Sequence, residues 1–157
     1  MKSPLDETDR AILGCLYEDG RMSSAEIARR VGNVSVRTVS NRIHHLTARR
    51  IIAIRAVVYP EAVGYDIIAD ASIEVEPGKA REVAEALVNC SRVNYVAIVT
   101  GESDLSSSVY ARDVHDLQTF IHDELQRIPG VRRTKTYLIT EILRRWDDWR
   151  IPDELPT

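Results

Sequence analysis

The stretch that most constrains this chain runs from Ser23 to Arg50, SSAEIARRVGNVSVRTVSNRIHHLTARR. Ser23 suits the N-cap of a helix, and Glu26 three residues later suits the reciprocal position of a capping box. That helix carries Ile27 and Val31 on one face and stops at Gly32, a residue fitted to a left-handed cap. Gly32-Asn33-Val34 reads as a turn. Ser35 then stands as a second N-cap before Val36, Val39, Ile43 and Leu46. Each helical residue advances the chain by roughly 100°, so these four share a face. Arg37, Asn41 and His44 lie opposite, with Thr38 and His45 beside them and Arg42 on the flank. The pattern predicts a helix-turn-helix whose second helix shows Arg, Asn, Thr and His to a nucleic acid.

Charge sharpens that reading. Residues 1–60 hold ten Lys/Arg and six Asp/Glu, a net +4, whereas residues 61–157 hold eleven against eighteen, a net −7. From Arg21 to Arg55 there are eight Arg and one acid, Glu26. A polyanionic partner is therefore expected for the first third of the chain and not for the rest. Arg37, Thr38, Asn41 and His45 are the candidates for base edges. Arg matches guanine and Asn matches adenine in the major groove, each pairing contributing about 1–3 kcal/mol of discrimination. Ser24, Arg29, Arg30, Ser35, Arg42 and His44 are the further candidate DNA contacts, with Arg49 and Arg50 as added phosphate ligands. Arg42 has a second reading, an ion pair with an acid of the first helix.

Asp6-Glu7-Thr8-Asp9 starts that first helix, with acids at the positive end of its dipole. Ile12, Leu13, Leu16 and Tyr17 follow at helical spacing, and Asp19-Gly20 ends it. A shared core of Ile12, Leu16, Ile27, Val31, Val39, Ile43 and Leu46 is expected. Residues 51–59 are rich in β-branched side chains and predict a strand, closed by Pro60. Beyond it, strands over 67–75, 93–100, 104–111 and 131–143 alternate with helices over 79–90 and 113–127. Val83, Ala84, Leu87 and Val88 are assigned inward on the former helix, and Leu117, Phe120, Ile121 and Leu125 on the latter. The order βαββαβ is the ferredoxin-like arrangement. The fold class is α+β: a three-helix, winged-type helix-turn-helix domain joined to a C-terminal ferredoxin-like domain. The domains are expected at 1–50 and 65–145, with a strand and linker over 51–64 and a tail over 146–157. Strands 67–75 and 93–99 read as apolar on both faces, which predicts a second cover and a homodimer. In the tail, Trp146 and Trp149 stand three apart. They either dock a short helix or belong to a loosely held terminus.

Ordinary functions are excluded by what is missing. The longest apolar runs, 51–54 and 96–99, fall far short of the ~20 residues of a membrane helix. No apolar leader is visible at the N-terminus, so a cytoplasmic protein is expected. Cys15 and Cys90 lack metal-ligand spacing and read as buried free thiols. His115 and His122 sit seven apart on one helix without metal spacing. There is no Gly-rich phosphate loop and no nucleophile elbow, so no catalytic residue, metal or cofactor is assigned.

The ordered motifs resemble the Lrp/AsnC, or feast/famine, family of transcription regulators. They are Leu5-Asp6-Glu7-Thr8-Asp9 with Ile12-Leu13, Asp19-Gly20-Arg21, and Ser24 to Arg42 around Ile27-Ala28 and Val31-Gly32. Val99 to Leu105, Ile128-Pro129-Gly130-Val131 and Thr134, Thr136 and Tyr137 complete the set. The resemblance implies dimers paired through the second domain, further assembly to octamers, and an amino-acid effector bound where dimers meet. Its glycine-x-tyrosine-aspartate loop falls on Gly101, Glu102, Ser103 and Asp104, with Ser103 in place of the tyrosine. Those four are the candidate effector residues, although Gly, Ser and Asp also suit a plain hairpin turn. His44 and His45 stand where the family carries arginines. Two other readings share the architecture: a sirohaem-decarboxylase-like enzyme, disfavoured by the acidic second domain, and a DNA-binding architectural protein without an effector. An ordinary imidazole titrates near 6.5. DNA affinity measured by fluorescence anisotropy is therefore expected to rise between pH 8 and pH 6; equal affinity at both would remove the two histidines from the interface.

Overall fold

The computed structural model describes residues 5–145 and 148–152. The chain divides into two compact units. One runs to Val57 and takes in the chain again from Arg145; the other is Val58–Arg144.

In the first unit, α1 spans Glu7–Glu18, α2 Ser24–Val31 and α3 Val36–Ala48. Local chemistry sets each boundary. Asp6 caps α1 and exchanges hydrogen bonds with Asp9 in a full capping box. Ser23 caps α2 through the Glu26 amide at 3.2 Å. The Glu26 carboxylate does not reach back as expected; it turns to Arg30 at 3.2 Å, a charged partner that outcompetes a neutral amide. Gly32 and Asn33 both adopt positive φ, 69° and 52°, in the turn between α2 and α3. Ser35 caps α3 by accepting from the Thr38 amide at 3.0 Å.

Two apolar clusters hold the helices together. Ile12, Ile27, Ala28 and Val39 form one, with Leu16, Val31 and Ile43 against it. Leu5, Leu13 and Leu46 form the other, flanked by Ile51, Ile52 and Ile151. Val36, expected inward, is 48% exposed because it opens the first turn of α3, beyond the reach of α1 and α2. The end of α3 is a Schellman cap. The Ile51 amide donates to Leu46 O at 2.9 Å and the Arg50 amide to Thr47 O at 3.0 Å. Ile51 packs against the cluster that contains Leu46, the apolar contact that accompanies such a cap.

The strand expected over 51–59 does not form: the segment is irregular as far as a short 3₁₀ turn at Pro60–Val63. Its β-branched composition favours extended backbone, but no neighbouring strand supplies a ladder, so no wing appears. Ile54, Val57, Val58 and Tyr59 are exposed.

In the second unit, β1 is Ile67–Val75, α4 Ala80–Val88, β2 Val93–Ile98, β3 Leu105–Ala111, α5 Val114–Thr119 and β4 Val131–Leu138. A π-helical segment, Phe120–Glu124, and a short 3₁₀ turn, Leu125–Arg127, continue α5. The four strands are antiparallel in the order β2-β3-β1-β4, the ferredoxin-like topology. Ala69, Ala71, Ile73 and Val75 of β1 and Leu105, Val109 and Ala111 of β3 are buried with Val83, Leu87, Leu117, Phe120, Ile121 and Leu125. Val88, assigned inward, is 67% exposed at the last position of α4, one turn past Ala84 and immediately after Leu87, the last residue of the helix in the core.

The opposite face is not apolar, contrary to expectation. Register places Ser72 beside Ser106 and Lys135, and Asp70 beside Ser108 and Tyr137. The alternation of β1 is therefore one-sided, and this sheet face does not call for a second apolar cover. Strand β4 ends at Leu138, five residues short of the expected 143. Beyond that residue β1 has only Ile67 and Ile68 left, and the Ile139 amide donates to Ile68 O at 2.9 Å.

Arg50 occupies the left-handed position of the Schellman cap at φ 56°, a conformation that costs an L residue about 1–2 kcal/mol. Arg50→Gly should therefore raise stability by about 0.5–1 kcal/mol, read as a shifted urea midpoint at unchanged slope.

Candidate nucleic-acid interface

Helix α3 contains no acidic residue, and its first turn has none facing the positive end of the helix dipole. By contrast α1 and α2 place Glu7, Asp9 and Glu26 there. With Val39 and Leu46 buried on one side, Arg37, Asn41, His44 and His45 are exposed and Thr38 half-exposed on the other. Thr38, Asn41, Arg42 and His45 line an open depression of about 510 Å³. The structure thus brings the four candidate base readers onto one side of one helix. Ser35 is engaged in the cap, its hydroxyl also 2.8 Å from Thr38 Oγ1. His45 Nε2 lies 3.5 Å from Arg49 Nη1.

Arg42 is committed elsewhere. Its Nη1 donates to Asp6 Oδ2 and, at 3.1 Å, to Asp9 Oδ1. The Asp9 side chain is 9% exposed, so this guanidinium neutralises a nearly buried carboxylate. The Asp9 amide and then Arg42 hold the Asp6 carboxyl below its usual value of 3.8, while the Asp6 and Asp9 bonds raise Arg42. The ion-pair reading of Arg42 is the one the structure realises; as a DNA ligand it would have to share that charge. Arg30 is similarly held, by Glu18 at 2.7 Å and Glu26 at 3.2 Å, and Arg29 lies 3.8 Å from Glu26. Ser24 opens α2 and is half-exposed.

In the second unit, Gly101 to Ser103 form the turn between β2 and β3, with Gly101 at φ 144°. The Asp104 carboxylate accepts from the Val75 amide at 2.8 Å, and the Asp104 amide donates to Ile73 O at 3.0 Å. Asp104 therefore pins the hairpin to the end of β1. Glu102 is exposed and Ser103 half-buried.

Residues 5–47 match the AsnC-type helix-turn-helix domain and residues 69–145 the Lrp/AsnC ligand binding domain. An uncharacterised HTH-type transcriptional regulator of Pyrococcus abyssi is 40% identical over 151 residues, covering 96% of this chain and 94% of that one. The chain belongs to the Lrp/AsnC family of transcriptional regulators. Two solved structures agree with it closely. Escherichia coli AsnC superposes with a TM-score of 0.83 at 26% identity, over 91% of this chain and 98% of that one. A transcriptional regulator of Neisseria meningitidis, solved as its L-Met complex, does so at 0.82 and 26%, over 90% and 93%. This Lrp/AsnC protein is accordingly a DNA-binding transcriptional regulator with a ligand-binding domain. It is not an enzyme, which removes the decarboxylase reading. Among the described residues no helix is long and apolar enough to cross a membrane, and no group of His, Cys, Asp and Glu is placed to hold a metal.

The ion pair of Arg42 with the start of the first helix was legible in the sequence; its two partners, Asp6 and Asp9, were not named. The signal was present: two acids three apart at a helix start, and one Arg on the flank of α3. Arg42→Met should cost about 1–3 kcal/mol in chemical denaturation, because Asp9 would stay desolvated without a cation. Since the Asp6 carboxyl is lowered, the wild-type clamp contributes fully at neutral pH and is lost on acidification below about 3.8. The stability gap between wild type and Arg42→Met should therefore shrink in that acid range.

Proposed function

We propose that this regulator binds duplex DNA as a homodimer, each protomer laying α3 in the major groove with Arg37, Thr38, Asn41 and His45 at base edges. The observation that carries this reading is the two-sidedness of α3: an acid-free polar face opposite a buried apolar one. Two such helices related by a twofold axis fit a nearly palindromic site with half-sites one or more helical turns apart. Arg29, Arg49 and Arg50 are exposed and supply phosphate contacts, with Ser24, Ser35, Arg30 and His44 at the margin.

We further propose that the second unit binds an amino acid where dimers meet in a larger assembly, up to an octamer, with Gly101 to Ser103 contributing. The match to the ligand-binding family and the L-Met complex of the meningococcal neighbour support this. Glu102, or the Asp104 oxygen that Val75 leaves open, is the carboxylate to receive an ammonium group. An effector changes DNA binding only through unequal affinity for the alternative assemblies.

The test is anisotropy with DNA from the protein's own upstream region, across a salt series and with a panel of amino acids. Saturable binding that weakens with salt and resists competitor is expected. Arg37→Ala and Asn41→Ala should each weaken specific binding by about 1–3 kcal/mol and relax selectivity at one base pair. Equal binding of the variants and wild type would overturn the assignment of α3.

A further inference from the structure

Residues 150–152 pack back onto the first unit. Ile151 packs against the cluster formed by Leu5, Leu13 and Leu46, which joins α1 to α3. Arg10 Nη1 donates to Pro152 O at 3.0 Å, the Ile151 amide donates to the Tyr17 hydroxyl at 3.4 Å, and the Arg150 guanidinium lies 5.6 Å over the Tyr17 ring. Arg10, Leu13 and Tyr17 recur at helical spacing, so the tail lies along one stripe of α1. Ile12, on another stripe, packs on α2. The two matched family regions end at residues 47 and 145, so this segment lies outside both.

The path of the chain gives the contact its meaning. The chain passes between the units twice, after Val57 and before Arg145. The first crossing leaves α3 through Ile51 and Ile52; the second ends in Ile151. All three side chains pack on the same cluster around Leu46, which is 1% exposed in the last turns of α3. We propose that Arg150–Pro152, outside both matched family regions, positions the DNA-reading helix. Ile151 is the positioning residue. It touches no DNA; it fixes α3 against α1 through Leu46 and Leu13. This rests on the reading that α3 meets base edges, since phosphate attraction depends on charge and base readout depends on where the helix lies.

The experiment compares full-length wild type with Ile151→Asp, Ile151→Ala and Ile151→Val. Each is titrated with the upstream DNA and with a shuffled duplex of equal length over a salt series. Ile151→Asp should lower the ratio of specific to non-specific affinity about tenfold, the loss of roughly one base contact. Non-specific affinity and its salt slope should not move, because no charge on α3 is altered. Ile151→Ala should give a smaller drop and Ile151→Val should keep the wild-type ratio. An unchanged ratio in Ile151→Asp and Ile151→Ala would overturn the proposal. An equal loss on both duplexes would also overturn it, by showing that Ile151 supports the fold alone. If the wild type itself fails to discriminate, the fault lies with the reading of α3 and the proposal falls with it.

Discussion

The structure depends on α3 being held from one side only. A helix that reads a groove must leave one face wet and charged, so all its fixing has to come through the other. Val39 and Leu46 supply the apolar part, in two separate clusters that face α2 and α1. Arg42 supplies the polar part, on the flank, by joining α3 to the capped start of α1. Asp6 and Asp9 therefore cap α1, and they also convert a basic side chain of α3 into a strut. The acids of the helical segment of this unit lie at the two ends of α1 and in the first turn of α2, and none is on α3.

The second unit obeys the same economy with different parts. One face of its sheet is filled from α4, α5 and the helical turns that continue α5, and the other presents serines, tyrosines and charges. Asp104 closes the β2–β3 turn onto β1, so the loop that carries Gly101 to Ser103 is anchored at its end. Asp116 does similar work at the start of α5. Arg112 and then Arg92 hold its buried carboxyl far below the usual range, and Arg92 also stacks over Phe120. The turn thus presents a surface whose backbone is already fixed.

Most of this was legible wherever the determining contacts are local. Helical spacing placed α1, α2 and α3, the N-caps Ser23 and Ser35 sat where their side-chain chemistry puts them, and Asp6, read as an acid at a helix start, proved to be the cap of α1. The order of elements in the second unit was legible for the same reason. Non-local contacts were not. Residues 51–59 carry strand composition, yet a strand exists only with a partner ladder, and composition does not supply one. The open face of the sheet was misjudged because adjacent apolar pairs such as Ile67-Ile68 blur an alternation that pairing register resolves. Of the tail, Trp146 lies outside the described residues, while Trp149 is 60% exposed and the docking falls to Arg150 and Ile151. No periodicity links Ile151 to Leu46 across more than a hundred residues.

The central claim is that α3, and no part of the acidic second unit, meets the DNA. Photo-crosslinking tests it most directly: a photoreactive residue is placed at position 41 in one protein and at position 85, on the exposed face of α4, in another. Both are irradiated on the upstream duplex under conditions of saturated binding. The account predicts crosslinks to bases from position 41 and none from position 85. Crosslinks from position 85 alone, or saturated binding without any from position 41, would contradict it.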